Sequence, residues 1–479
     1  MAADELCWLS AAELADRIAR RELSPVEVVE AHLARAERLN PELNAFLTVT
    51  ADHARAAARQ AEQELATGGP RGPLHGVPFA VKDIVATRGI RTTMGSRLYA
   101  DFVPDEDATV VERLRAAGGI LLAKAHTHEF ARGATTNSPY FGPCRNPWDS
   151  RRVPGGSSGG SGSSVSAGLC PIAIGTDTGG SIRNPAAVCG VVGLKPTYGL
   201  VSRHAVHPAS WTLDTVGPLT RTVRDAAITL GALAGYDPRD RTTGRAPIPH
   251  YLAALTGDVR GLRIGLLRDH LEAPMDAEVR TSVTRAIERL RELGATLDDV
   301  RIPSLPHAPV VSAVIVEVES GTVHERNLRE RPADFAPDVL HRLLWGFGID
   351  GLDYVKAQRA RTLITAEVAG VLQRFDVLVG PTVAIPAPEI DRFTTEIDGQ
   401  ERRVLDLLSC FTRLDNLTGY PAISIPCGYT AAGLPIGLQI SGRPLEDATV
   451  LGVADAYERA TADERRRPDD LPSATSAGR

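Results

Sequence analysis

The chain has 479 residues, 43% of them apolar, which suits one large α/β domain or two to three average ones with a sizeable core. Its formal charge of −6 comes from interleaved arginines and carboxylates without a basic block, so neither nucleic acid nor an anionic membrane is an expected partner. No apolar run reaches the ~18–20 residues of a membrane span, no signal peptide is expected, and the six cysteines are far apart with no C-x-x-C pair, so a soluble cytoplasmic protein with buried thiols is expected.

The first elements are helical. Ser10-Ala-Ala-Glu13 and Ser24-Pro25-Val-Glu27 both read as capping boxes, the second with Pro at the first helical position. An Ala-rich helix is expected over 51–66. Pro78-Phe-Ala-Val-Lys82 and Gly119-Ile-Leu-Leu-Ala-Lys124 are strand-like and flank a helical 107–117, the βαβ pattern of a parallel pair. Residues 170–175 give another strand. The alternation then repeats with a strand at 262–267, a helix at 276–293 and a strand at 296–302. Late strands are expected at 376–379, 422–425 and 436–440, with a helix at 446–460. The reading is a single large α/β/α domain over 1–464, a mixed central sheet covered by helices. A variable substrate-covering segment falls at about 240–375, and a polar, disordered tail is expected over 465–479.

Two glycine-rich segments carry the functional signal. Residues 153–164 read V-P-G-G-S-S-G-G-S-G-S-S, by composition alone a flexible linker. An apolar segment follows without a break, and then Gly175-Thr-Asp-Thr-Gly-Gly-Ser181-Ile-Arg183. Two glycine loops around a buried element let backbone N–H groups approach a ligand closely. A phosphate-cradling loop would need Gly-Lys-Ser/Thr, and no Lys occurs from 153 to 181. Gly155-Gly-Ser157-Ser-Gly159 matches a nucleophile elbow literally but lacks the apolar strand before it. The third chemistry is a serine activated by lysine. Only four of the 53 basic residues are lysines, namely Lys82, Lys124, Lys195 and Lys356. Composition bias accounts for that ratio, but not for Lys82 ending a strand-like run shortly before a Gly/Ser loop. A neutral amine can accept a proton; an arginine stays protonated.

These blocks, with Gly76-Val-Pro-Phe-Ala-Val-Lys82-Asp83, Gly190-Val-Val-Gly-Leu-Lys-Pro-Thr197, Asp214-Thr-Val-Gly-Pro-Leu-Thr220 and Asp376-Val-Leu-Val-Gly-Pro-Thr382, resemble the amidase signature family. The resemblance runs from about residue 8 to 461 and is weakest over 240–370. It implies Ser181 as nucleophile, Ser157 as a bridging serine after a cis peptide, and Lys82 as base. Backbone N–H groups of Thr178, Gly179, Gly180 and Ser181 would hold the oxyanion, with Ala131 also at the substrate. Asp83 should face away from Lys82, Asp177 and Arg183 should brace the loop, and Lys124 and Lys195 should be structural.

The implied activity is a stand-alone amidase cleaving a small carboxamide, anilide or carbamate, without metal or cofactor, with a homodimer as the assembly considered. The runner-up is the glutamine-hydrolysing component of a tRNA-dependent amidotransferase, a close relative. There an acidic residue would meet the glutamine ammonium at the position that aligns with Ser409. A third reading, a metal-dependent amidohydrolase, rests on His126 and His128 leaving a strand. The pocket is expected to be aromatic, from Phe130, Tyr140, Phe141, Trp345 and Phe347 with Ser409, and to favour an apolar or aryl group.

Overall fold

The computed structural model describes residues 3–468. Residues 469–479, most of the expected tail, lie outside them. The first residues of that tail run beside the body, with Arg465 donating to the Glu458 carboxylate at 2.9 Å.

One mixed sheet of eleven strands organises the chain. In chain order they are β1 (Phe46–Val49), β2 (Pro78–Lys82), β3 (Ile120–Ala125), β4 (Ile172–Asp177), β5 (Val192–Lys195), β6 (Thr215–Thr220), β7 (Arg263–Leu267), β8 (Thr296–Val300), β9 (Val377–Pro381), β10 (Ala422–Tyr429) and β11 (Pro435–Gly442). Across the sheet the order is β1-β3-β2-β4-β6-β5-β10-β11-β9-β7-β8. The expected βαβ pair is present: β2 lies parallel to β3, with the Thr109–Ala116 helix between them in sequence. β4 is parallel to β2 on its other side. The carboxyl ends of three adjacent strands therefore face the same way, the usual place for a ligand in an open α/β sheet.

Both capping boxes form, at Ser10/Glu13 and Ser24/Glu27. The second helix, Pro25–Leu43, buries Val28, Val29, His32, Leu33 and Ala36 on one face. The Gly/Ser tract departs most from its composition, because Gly159–Ser166 is a helix buried at every position. A Cβ on Gly160 would lie 2.3 Å from the His126 amide nitrogen and 2.5 Å from the Ala45 carbonyl oxygen, so the bare backbone is what lets this helix sit against the strands.

The 240–375 segment is built in two parts. Residues 263–300 add β7 and β8 to the sheet edge. Helices Pro337–Gly348 and Gly351–Leu372 both pack on Ala308–Glu330, and Ala308–Glu330 and Gly351–Leu372 share with the sheet a second apolar cluster that includes Ile315, Ile364, Val368 and Leu378. No helix among the described residues is long and apolar enough to cross a membrane.

Candidate active site

Lys82 is the last residue of β2 and is wholly buried. Its Nζ lies 2.6 Å from Ser157 Oγ and 2.8 Å from Thr176 Oγ1, near the end of the neighbouring β4. Burial pulls its pKa down to about 7, against the opposing pull of the Asp214 and Asp177 carboxylates. From the usual lysine value near 10.5, that displacement corresponds to about 5 kcal/mol against the charged form. Asp83 faces elsewhere, as strand alternation requires. Its carboxylate accepts from the Thr93 amide and hydroxyl and lies 3.6 Å from Lys124 Nζ.

Ser157 follows a cis Gly156–Ser157 peptide. Its carbonyl oxygen accepts from the His128 amide at 3.0 Å. Next to it, Ser158 ties the two glycine segments together. Its hydroxyl bonds both the carbonyl oxygen and the amide of Thr176, and its amide donates to the Ser181 carbonyl oxygen at 3.3 Å. Ser181 is only partly buried, and its hydroxyl has no hydrogen-bond partner among the described residues.

The loop carrying Ser181 is held from behind. Asp177 accepts from the amides of Gly180 (2.7 Å) and Ile182 (3.1 Å) and from Arg183. Burial alone would raise its pKa, but the Arg183 guanidinium more than offsets this and holds the carboxyl well below the usual range. Arg183, fully buried, also donates to Asp415, Gln439, Asn416 and the Thr412 carbonyl oxygen. This network corrects one expectation: the Gly180 amide is committed to Asp177 and is not free for an oxyanion. The amides of Thr178, Gly179 and Ser181 carry no such bond among the described residues. Gly180 itself is required, since at φ +122° a Cβ there would meet Thr412 Oγ1 at 2.2 Å.

Ser181 opens into a cavity of roughly 100 Å³. Ala131, Thr178, Gly179, Gly180 and Ser409 line it, as expected, together with Ser312, Val316 and Glu317 from the helical segment. The aromatic residues do not, and the expectation of an aryl pocket is corrected. Phe130 has φ +51° and turns into the core against His207, His324, Tyr99 and Phe335. Tyr140 packs edge-on against Phe141, away from the cavity, and is half exposed. Trp345 and Phe347 are 63% and 49% exposed. In their place stand three arginines, Arg132, Arg342 and Arg413. Sequence reading also misses Thr176 and Ser158, whose hydroxyls have no signature apart from the fold.

His126 and His128 part company. His126 Nδ1 meets the Asn44 carbonyl oxygen, and His128 Nε2 meets Asp338 at 3.2 Å. Among the described residues, no three His, Cys, Asp or Glu side chains form a metal-binding group.

The Amidase family model matches residues 27–451. The chain belongs to the amidase signature family. It is 42% identical to a glutamyl-tRNA(Gln) amidotransferase subunit from Chloroflexus aggregans, over 97% of this chain and 99% of that one. Among solved structures, it superimposes with a TM-score of 0.91 and 33% identity on a chain from a vestigial protein complex bearing on the origins of an s-triazine catabolic enzyme, covering 94% and 98% of the two chains. A bacterial aryl acylamidase of the amidase signature family gives a TM-score of 0.89 at 31% identity, covering 97% and 99%. The protein is accordingly a hydrolase of amide carbon–nitrogen bonds.

Proposed function

We propose that the chain is a stand-alone amidase that cleaves a small carboxamide through an acyl-enzyme on Ser181. The observation that supports this most is a buried lysine with its pKa near 7, contacted by hydroxyls alone. Neutral Lys82 has two N–H bonds and one lone pair. Thr176 Oγ1 accepts one N–H, which leaves the lone pair for the Ser157 proton. Ser157 then takes the Ser181 proton as Ser181 Oγ forms its bond to the amide carbon. The developing oxyanion meets the free amides of Gly179 and Ser181. Lys82 returns its proton through Ser157 to the departing nitrogen, the carbon–nitrogen bond breaks, and water releases the acid from Ser181.

The alternative reading, the glutamine-hydrolysing component of a tRNA-dependent amidotransferase, is favoured by 42% identity along nearly the whole chain. Against it stands Ser409, a neutral residue at the cavity wall where the resemblance to the glutamine-hydrolysing relative would put an acidic partner for the ammonium.

The test measures ammonia release from short carboxamides by the purified chain, alone and with the other components of an amidotransferase. We expect full turnover alone and none from Ser181→Ala. Hydrolysis that appears only with those components would favour the amidotransferase reading, and wild-type rates from Ser181→Ala would overturn both.

A further inference from the structure

The cavity above Ser181 is more basic than a generic amide requires. Three guanidiniums reach its wall, against one carboxylate, Glu317. That carboxylate is already engaged, because it pairs with Arg132. Arg132 is nearly buried, yet its Nε has no hydrogen-bond partner. Arg342 donates to the Arg132 carbonyl oxygen and to Asp338, the latter at 3.2 Å. Arg413 has neutral partners only, the Pro309 carbonyl oxygen at 3.2 Å and Ser409 Oγ at 3.1 Å, and no carboxylate of the described residues lies within ion-pair distance of it. It stands beside the oxyanion loop, its Cγ 4.0 Å from where a Gly179 Cβ would be. Burial lowers its pKa, with the more distant Asp406 carboxylate opposing and the Arg132 charge adding to the lowering.

An under-compensated guanidinium in a narrow cavity is costly in the free protein and is relieved by a planar anion that accepts two parallel N–H bonds. No carboxylate on the same wall is left over for a cation. We propose that the substrate of this site is an amide whose acyl part carries a carboxylate, held by Arg413 and Arg132, and carries no ammonium group. This rests on the amidase reading and narrows it. It also separates the protein from a glutamine hydrolase, since glutamine brings an α-ammonium that would face three arginines.

A matched trio tests it: glutaramate, pentanamide (the carboxylate replaced by a methyl group) and L-glutamine (an ammonium added). The wild-type enzyme is expected to prefer glutaramate over each of the others by at least tenfold in kcat/KM, mainly through KM. Arg413→Gln should cut the glutaramate-to-pentanamide ratio at least tenfold. Ser409→Asp, which puts a carboxylate beside Arg413 in place of the hydroxyl it now contacts, should shift the glutaramate-to-glutamine ratio at least tenfold toward glutamine. Ratios measured within one variant are insensitive to how much of it folds. Hydrolysis of p-nitrophenyl acetate that depends on Ser181 is the control for the underlying chemistry. If that ester activity is present but glutaramate is not preferred, or the ratios do not move in the variants, the anion proposal is overturned. If Ser181-dependent ester hydrolysis is absent, the amidase reading itself fails.

Discussion

Two lysines stand at the ends of neighbouring strands, equally buried, and their surroundings give them different tasks. Lys124 on β3 is in register with Val81 of β2, so Lys82, one residue further along, projects to the opposite face. On its face, Lys124 finds the Val85 carbonyl oxygen, the hydroxyls of Thr87 and Thr92, and the Asp83 carboxylate at 3.6 Å. Burial lowers its pKa to about 8, with Asp83 opposing, so it keeps its proton at neutral pH. On the other face, Lys82 has two hydroxyls and no carboxylate in contact, and its pKa falls to about 7. Burial lowers both amines, and the one with hydroxyl partners and no carboxylate in contact is lowered further.

The same substitution at both sites should give opposite outcomes. Lys82→Met removes the proton acceptor, and amide turnover should fall by about 10³-fold, within the range for general base catalysis. An activated ester, whose leaving group needs no proton, should lose much less. Comparable losses on both substrates would argue against Lys82 as the base. Lys124→Met leaves Asp83 buried without its cation, which should cost about 3–5 kcal/mol of stability in denaturant titration. A stability change under about 1 kcal/mol would show that buried Asp83 does not depend on the Lys124 charge.

Lys82→Met should instead stabilise the fold at pH 6, by about 1–2 kcal/mol, because it removes a buried amine that resists protonation. The folded pKa of Lys82 lies below the unfolded one, so the unfolded chain binds more protons between pH 7 and about 10.5, and wild-type stability climbs with pH across that window. The variant's melting-temperature advantage should therefore shrink and reverse between pH 7 and 10, and a difference independent of pH would contradict the assignment. Thr176→Val should have the smallest effect, about tenfold on kcat/KM. An acceptor on Nζ favours the ammonium form, so its loss should also move the pH inflection below 7. A rate loss with an unmoved inflection would mean that Thr176 is only packing.

How much of this is legible in the sequence follows from where each signal resides. The strand ends and the capping boxes lie in short continuous motifs, each readable to within a few residues, and the same kind of motif holds Lys82, Ser157 and Ser181, which the fold brings together. The buried Gly159–Ser166 helix is hidden, because composition treats glycine as flexible whereas here it permits close approach of backbone to backbone. The pocket misleads for a different reason. A local pattern does not reveal that the turn at Phe130 sends its ring inward, nor that Arg132, Arg342 and Arg413, from three distant segments, converge above Ser181. Convergence is a property of the tertiary fold, and in an arginine-rich chain it leaves no trace in sequence.

With only four lysines in the chain, the protonation of Lys82 can be followed directly by NMR of the intact protein labelled at lysine, with the resonance missing from Lys82→Met as the assignment. This one signal is expected to titrate with a midpoint near 7. A midpoint near the ordinary lysine value of ~10.4 would contradict it.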